Sequence, residues 1–253
     1  MPATPAWPPR SAPRLFVTQP LSAGAQVVLD GQQAHYLAKV MRAAEGDPVV
    51  LCDDLTGEWA ARVVRSGKRQ IELLAAICLR PREQVPDFWL CSALLKKDRF
   101  DLVLEKATEL GVRAIRPVIT RRCVADKLNP ERARAIVIEA AEQCARTALP
   151  ELASPIKLDA LLRDWPDERT LFFADELGGT PAAAAFAASV NAGGPAALLT
   201  GPEGGFDDAE RAAIRALPRT VPISLGPRIL RGETAALAGI AAWMAFAGDW
   251  AAI

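Results

Sequence analysis

Apolar and polar positions alternate with the two-residue period of β-strands through the first part of the chain. Asp30 is predicted to cap a short helix, in which His35 is expected to be a packed residue. Turns rich in Gly, Pro and Asp separate strands predicted at residues 14–17, 27–29, 49–52, 58–64 and 70–79. This spacing is typical of hairpins and predicts a small, mostly antiparallel β domain over residues 14–80.

After a proline-bounded linker at residues 81–87, predicted strands alternate with predicted helices. The strands fall at residues 88–95, 112–119, 170–174, 197–200 and 221–225. The helices fall at residues 98–110, 130–148, 181–190, 208–217 and 233–246. Asn129 and Pro130 mark one helix start, and Gly111 marks a helix end. The alternation predicts an α/β domain with a mainly parallel sheet over residues 88–253.

The length of 253 residues allows one large domain or two modest ones. Hydrophobic residues make up 51% and charged residues 24% of the chain, which is typical of a soluble globular protein. No apolar run is long enough to span a bilayer. Residues 1–13 are proline-rich and lack the apolar region of a secretory signal, so we expect a disordered extension. The five cysteines form no CxxC pair, and the chain has one histidine. We therefore expect a reduced, cytoplasmic protein with mostly buried thiols and no metal site.

The formal net charge is zero, but the charges are unevenly distributed. Basic residues outnumber acidic ones over residues 96–146, and acidic ones dominate residues 148–210. Such a chain can carry a basic face for a polyanion. By charge alone, however, solvated helix faces are the more economical interpretation.

Two glycine-rich stretches, residues 198–210 and 224–236, each predict a strand, a turn and a helix start. Asp207 or Asp208 is predicted to cap the helix that follows the first stretch. The stretches form either one ligand pocket or two ordinary strand-to-helix connections. Nucleotide fingerprints, a GxSxG elbow and an HExxH motif are absent from the sequence. Backbone groups therefore remain as the main ligand-binding elements, with charged side chains nearby.

Several motifs occur in order along the chain: RLF (14–16), HYLAKVMR (35–42), GD (46–47), KDRFD (97–101), KATELGV (106–112), EAAEQCAR (139–146), TGPEGGF (200–206) and LGPRILRGETA (225–235). This ordered set resembles the RsmE family of small-subunit ribosomal RNA uridine-N3 methyltransferases, which belong to the SPOUT superfamily. The resemblance covers nearly the whole chain after Pro13. One departure is Cys123, which stands where the family usually has serine.

The resemblance implies a trefoil-knotted SPOUT domain with a mainly parallel sheet at residues 88–253 and a PUA-like, RNA-binding β-barrel at residues 14–80. It also implies a homodimer that binds S-adenosyl-L-methionine in three loops, matched here by residues 173–177, 200–205 and 224–234. The implied substrate is a uridine in 16S rRNA, either free or in the assembled small subunit. An alternative is a catalytically silent RNA-binding or ribosome-assembly protein of the same fold. A nucleotide-binding oxidoreductase is disfavoured by the missing fingerprint.

The same resemblance assigns candidate site residues. The expected cofactor-binding residues are Leu199, Thr200, Gly201, Glu203, Gly204, Gly205, Leu225, Gly226, Ile229, Leu230, Arg231, Thr234 and Ala235. For Leu199, core packing is the competing interpretation. The expected RNA-binding residues are Arg14, Arg42, Lys97, Arg99, Arg121 and Arg122, with a solvated loop as the alternative for Arg121 and Arg122.

The candidate catalytic residues are Arg228, Arg231, Glu203 and Glu233. Uridine N3 carries a proton that must leave before or during methyl transfer. Arg228 or Arg231 could stabilise the resulting anion, and Glu203 or Glu233 could accept the proton. Glu203 could instead cap a helix or bind backbone amides, and Glu233 could cap the last helix.

Overall fold

The computed structural model of the chain describes residues 7–67, 69–192 and 194–252. Its contacts divide the chain into two compact units. The first unit comprises Met1–Gln84 and Ala141–Leu149, and the second comprises Val85–Ala140 and Pro150–Ile253. The predicted extension at residues 1–13 lies partly outside the described residues, and the predicted domain limits stay a prediction.

The first unit contains a sheet with the strand order β1-β3-β4-β5-β2. Its strands are β1 (Arg14–Phe16), β2 (Gln26–Leu29), β3 (Pro48–Cys52), β4 (Gly57–Ser66) and β5 (Ile71–Pro81). β1 pairs with β3 in parallel, and the other pairs are antiparallel, as the sequence predicts. Register shifts between β4 and β5 bend these strands, because bulges increase local twist. Side chains from all five strands consequently enter one hydrophobic core.

The segment between β2 and β3 forms a short helix, α1 (Gly31–His35), which continues as a π-helical turn over Tyr36–Val40. Asp30 occupies the N-cap position, but its side chain makes no capping hydrogen bond within the described residues. Ala34 and Leu37 face the core. His35 lies beside this buried face of the helix and points to solvent. The prediction that His35 is packed is therefore wrong.

The second unit contains a sheet with the strand order β11-β13-β10-β12-β6-β7-β8, and β9 also pairs with β7. Its strands are β6 (Phe88–Ala93), β7 (Ala114–Ile119), β8 (Glu151–Leu152), β9 (Ile156–Lys157), β10 (Thr170–Ala174), β11 (Thr180–Pro181), β12 (Ala196–Thr200) and β13 (Thr220–Ser224). The recorded pairings of this sheet are parallel, which confirms the predicted mainly parallel arrangement.

The helices after α1 are α2 (Lys97–Glu109), α3 (Pro130–Cys144), α4 (Leu158–Arg163), α5 (Ala182–Ala192), α6 (Asp208–Ala216) and α7 (Gly232–Ala247). α3 ends at Cys144 rather than near residue 148, because Ala145 has a positive φ of 61°. After this point the backbone amides of Thr147 and Ala148 donate to the Glu83 side chain, at 2.6 and 3.0 Å, and all three residues belong to the first unit. The prediction of a longer helix is therefore wrong.

α7 packs closely on the centre of the parallel sheet. A Cβ atom on Gly239 would lie 2.5 Å from a methyl carbon of Leu198 in β12. Trp243 stacks on Phe88 of β6, with ring centroids 4.0 Å apart. This contact places the start of α7 near the carboxyl ends of β6 and β12. None of the helices in the described residues has the length and apolar character needed to cross a membrane.

The cysteines differ from the expectation of mostly buried thiols. Cys52 and Cys91 are buried, and burial raises the pKa of each to about 12. Cys123 is partly exposed, and Cys78 and Cys144 are exposed. The expectation is wrong because the strand and helix that carry Cys78 and Cys144 present these positions to solvent.

Glu58 joins three segments of the first unit. Its side chain is 7% exposed and accepts hydrogen bonds from Arg14, at 2.7 Å, and from Arg80. The two arginines also donate to backbone carbonyls in the 141–149 segment, those of Glu142 and Ala145. Burial alone would raise the pKa of Glu58, but the hydrogen bonds from both arginines outweigh it and lower the pKa.

Replacing Glu58 with Gln is expected to lower the free energy of unfolding at neutral pH by about 2 kcal/mol, because one arginine loses its acceptor oxygen and the other loses the negative charge of its acceptor. The lowered pKa makes this stabilisation complete above the ordinary value of 4.5, and it is lost as the pH falls through the folded-state value. Urea unfolding of both proteins at neutral and acidic pH measures the difference.

Glu72→Gln is the matched control for this substitution. Glu72 pairs with Arg65 at 3.5 Å, and their side chains are 43% and 74% exposed. Its loss should cost less than about 0.5 kcal/mol, since exposed ion pairs contribute little. Equal effects of the two substitutions would contradict a structural role for the Glu58 cluster.

Candidate functional site

The loops that follow β10, β12 and β13 line one cavity in the second unit. These strands are neighbours in a parallel sheet, so their carboxyl ends meet at one edge. The cavity is lined by Ala174, Asp175, Glu176, Gly201, Pro202, Phe206, Ile223, Ser224, Leu225, Gly226, Pro227, Arg228, Ile229, Leu230, Gly232 and Ala235. The two glycine-rich stretches thus form one pocket, as one of the two interpretations of the sequence predicts.

The loop after β12 forms a compact wall. A Cβ atom on Gly201 would lie 2.8 Å from the ring of Phe206, which itself packs edge-on against Phe173. The loop ends at Asp207, whose side chain accepts from the Glu210 amide in a reciprocal capping box. This geometry confirms the predicted capping of α6 and fixes the direction in which the loop leaves the sheet.

The loop after β13 forms the opposite wall. Gly226 has a φ of 120° and open space where a Cβ would lie, so the backbone there takes a path that favours glycine. Ile229 lines the cavity with 90% of its surface exposed. In the part of the chain that the structure describes, the backbone amides of Leu225, Ile229 and Leu230 have no hydrogen-bond acceptor. This wall therefore offers apolar surface and unused donors to a ligand.

The loop after β10 supplies the acidic wall. Asp175 has no exposed side-chain surface and accepts from Arg211 at 3.1 Å and from Arg215 at 2.7 Å. Burial alone would raise the pKa of Asp175. Hydrogen bonds from Arg215, the Leu177 amide and Arg211 outweigh burial, so the pKa is lower than its ordinary value. Glu176 is 43% exposed and pairs with Arg211 at 3.0 Å.

The predicted cofactor residues fall into two groups. Those that line the cavity are Gly201, Leu225, Gly226, Ile229, Leu230 and Ala235. Those that do not line it are Leu199, Thr200, Glu203, Gly204, Gly205, Arg231 and Thr234. Leu199 lies in the hydrophobic core, in agreement with the packing interpretation. Thr200 is fully buried, and its hydroxyl has no hydrogen-bond partner within the described residues.

Among the predicted catalytic residues, Arg228 lines the cavity and is exposed. Arg231 is the N-cap residue of α7. Glu203 is exposed, with one oxygen 3.4 Å from the Lys96 amide. Glu233 pairs with Arg99 at 2.8 Å, and its other oxygen is buried without a partner in the described chain. Their catalytic roles stay predictions.

Four of the predicted RNA-binding arginines have partners inside the protein. Arg14 belongs to the Glu58 cluster, and Arg99 pairs with Glu233. Arg121 pairs with Asp207 at 2.9 Å, and Arg122 donates to the Gly204 carbonyl at 3.1 Å. Arg42 and Lys97 are exposed, and Arg42 has a positive φ of 54°, unusual for a residue with a side chain. RNA contact by these six residues stays a prediction.

The first unit contains a groove that no sequence pattern predicts. It is lined by Asp30, Gly31, His35, Ala38, Lys39, Arg69 and Gln70. Exposed Tyr36 lies on the same helical turn as Lys39. Residues 35–42 were recognisable as a motif, but only the fold brings them next to Arg69 at the β4–β5 turn. Basic and aromatic groups together are typical of single-stranded RNA sites.

Comparison with known proteins identifies two families along the chain. Residues 82–244 match the profile of a family described as an RNA methyltransferase domain. Residues 29–75 match a family described as an RNA methyltransferase PUA domain. The two matches confirm the predicted fold class and cover most of both units.

Individual relatives agree with these matches. Ribosomal RNA small subunit methyltransferase E of Rickettsia conorii is 29% identical over 90% of this chain and 93% of its own length. The Synechocystis protein of the same name is 33% identical, over 90% of this chain and 76% of its own length. The crystal structure of the Neisseria gonorrhoeae protein of that name, bound to S-adenosyl methionine, has a TM-score of 0.84 at 29% identity and covers 94% of this chain and 99% of its own. The chain therefore belongs to the ribosomal RNA small subunit methyltransferase E family.

Proposed function

We propose that this protein transfers the methyl group of S-adenosyl-L-methionine to N3 of a uridine in 16S rRNA. The observation that carries the proposal is the cavity built by glycine-rich loops at the carboxyl ends of three adjacent parallel strands. Two further observations support it: the relatives share the name of an rRNA methyltransferase, and the neisserial relative was crystallised with S-adenosyl methionine.

The lining residues fit an adenosyl ligand. Ile229 offers an exposed apolar side chain that a purine ring would cover, since isolated large apolar groups gain most from such burial. The unpartnered amides of Leu225 and Leu230 can donate to ring nitrogens. When bound here, S-adenosyl-L-methionine supplies an electrophilic methyl group on its sulfonium.

Arg228 is the positively charged residue among those that line the cavity, and we assign it to the uridine. It is exposed and has no ion-pair partner among the described residues. A guanidinium beside O2 or O4 would stabilise the N3 anion, because the developing negative charge lies on those oxygens. Arg231 is the second candidate for this role. Glu203 and Glu233 stay candidates for accepting the N3 proton.

The groove of the first unit is proposed to hold RNA. His35, Lys39 and Arg69 can contact phosphates, and Tyr36 can stack on an unpaired base. Arg42 lies in the same motif and adds positive charge. A cytoplasmic homodimer acting on free rRNA or on the assembled small subunit completes the proposal.

The direct test incubates the purified protein and S-adenosyl-L-methionine with small subunits, or free 16S rRNA, from a strain that lacks this enzyme. Mass spectrometry of nuclease digests should then reveal one new N3-methyluridine. Methylation at another atom would contradict the uridine-N3 assignment. RNA binding without any methyl transfer would favour the catalytically silent alternative.

Gly226→Ala is expected to weaken S-adenosyl-L-methionine binding by about tenfold, equivalent to about 1.4 kcal/mol, because the wall must shift to relieve a positive φ. Gly24→Ala is the matched control, since Gly24 also has a positive φ, of 83°, and open space where a Cβ would lie, but belongs to the first unit. Both variants should lose about 1 kcal/mol of stability from backbone strain. Calorimetry that shows equal affinity in the two variants would argue against this wall as a binding surface.

Arg228→Ala is expected to lower kcat by about 10²-fold, the usual cost of removing one group that stabilises a developing anion. Cofactor affinity, measured in parallel, should change much less. Arg219→Ala is the control, because Arg219 is also exposed but precedes β13, at the opposite end of the strand from the cavity. A normal kcat in the Arg228 variant would transfer the role to Arg231.

The double substitution of Lys39 and Arg69 by Gln is expected to weaken RNA binding and reduce its salt dependence. Each lost phosphate contact lowers the slope of log affinity against log salt by about 0.7 for single-stranded RNA. Arg163→Gln, which removes an exposed arginine of α4 in the second unit, serves as the control for loss of surface charge. An unchanged slope in the double variant would exclude the groove from the RNA interface.

A further inference from the structure

Glu176 is a cavity-lining carboxylate that the proposed reaction does not use. We propose that it accepts hydrogen bonds from the ribose hydroxyls of the adenosyl ligand. This inference rests on the proposed function, because it assumes that the cavity binds S-adenosyl-L-methionine. It makes Glu176 a residue that selects for a ribose with both hydroxyls.

A chain of charged groups holds Glu176 in place. Arg211 is 10% exposed and donates to the fully buried Asp175 at 3.1 Å. That bond is made by Nε of Arg211, and its terminal nitrogen Nη2 donates to Oε1 of Glu176 at 3.0 Å. Oε2 of Glu176 has no donor among the residues that the structure describes, so it is available to a ligand. A side chain fixed on one oxygen and free on the other is preorganised for hydrogen bonding.

Gly205 provides the space that this carboxylate occupies. A Cβ atom on Gly205 would lie 2.5 Å from Oε1 and 2.8 Å from Oε2 of Glu176. Gly205 also has a positive φ of 66°, a conformation that favours glycine. The carboxylate therefore lies against the backbone of the loop after β12. This contact gives Gly205, which does not line the cavity, an indirect role in the site.

The charge balance around Glu176 favours hydroxyl groups over a cation as its ligand. Asp175 and Glu176 face Arg211 and Arg215, so two negative charges meet two positive ones. Asp208 also approaches Arg211, at 3.5 Å, but it is fully exposed and screened by water. A carboxylate that is already neutralised gains little from the ligand's ammonium group. It still accepts hydrogen bonds from a vicinal diol.

Calorimetry with three ligands tests the assignment: S-adenosylhomocysteine, 5′-methylthioadenosine and the 2′,3′-dideoxy form of the latter. Glu176→Gln should weaken the first two by about tenfold each, because both carry the same ribose diol. The dideoxy ligand should bind the variant and the unaltered protein with nearly equal affinity. Asp208→Asn is the matched control, since it removes the other exposed carboxylate beside Arg211 and should change none of the three affinities.

Other outcomes would overturn the inference in recognisable ways. Weaker binding of S-adenosylhomocysteine alone would place Glu176 at the amino-acid end of the ligand instead. Unchanged affinities in both Glu176→Gln and Glu176→Ala, with native circular dichroism, would exclude any contact. If the unaltered protein binds none of the three adenosyl compounds, the proposed function and this inference are both overturned. Normal binding without RNA methylation would overturn the proposed function alone.

Discussion

The close contact at Gly232 is the constraint on which the second unit depends. A Cβ atom there would lie 2.8 Å from a methyl carbon of Leu95 and 3.0 Å from the Gly201 carbonyl oxygen. The start of α7, the end of the β6 segment and the loop after β12 therefore meet without room for a side chain. Because α7 is also seated on β12 through Gly239, its first turn cannot move away from the cavity. The shape of the pocket is thus set by backbone packing.

The sequence predicts most elements of the parallel sheet because each has a strong local signal. α6 follows a capping box at Asp207, and α2 ends at Glu109, two residues before Gly111, whose φ of 90° favours glycine. The sequence predicts no element over residues 151–163, because β8 and β9 have two residues each, too few to show a period. The predicted end of α3 is wrong, because Ala145 leaves the helical conformation and the amides of Thr147 and Ala148 bond the distant Glu83. Contacts between remote segments leave no local pattern in the sequence.

The candidate site shows the same division. The glycine-rich loops were predictable, because glycine marks backbone paths that other residues avoid. The side chains that line the cavity were not predictable, since Ala235 lies in the wall whereas its neighbour Thr234 does not. The partners of the predicted RNA-binding arginines were equally hidden. Arg14, Arg99 and Arg121 bond carboxylates that lie 44, 134 and 86 positions away in the sequence.

These distant ion pairs explain why Arg228 is available for a substrate. Two acidic residues of the loops are held by other arginines: Asp175 by Arg211 and Arg215, and Asp207 by Arg121. An arginine that already has a carboxylate partner adds little field at a ligand, because the opposite charges cancel over a short distance. Arg228 has no such partner in the described chain. The cavity wall therefore carries an unpaired positive charge on Arg228, which can stabilise an anion that forms in the cavity.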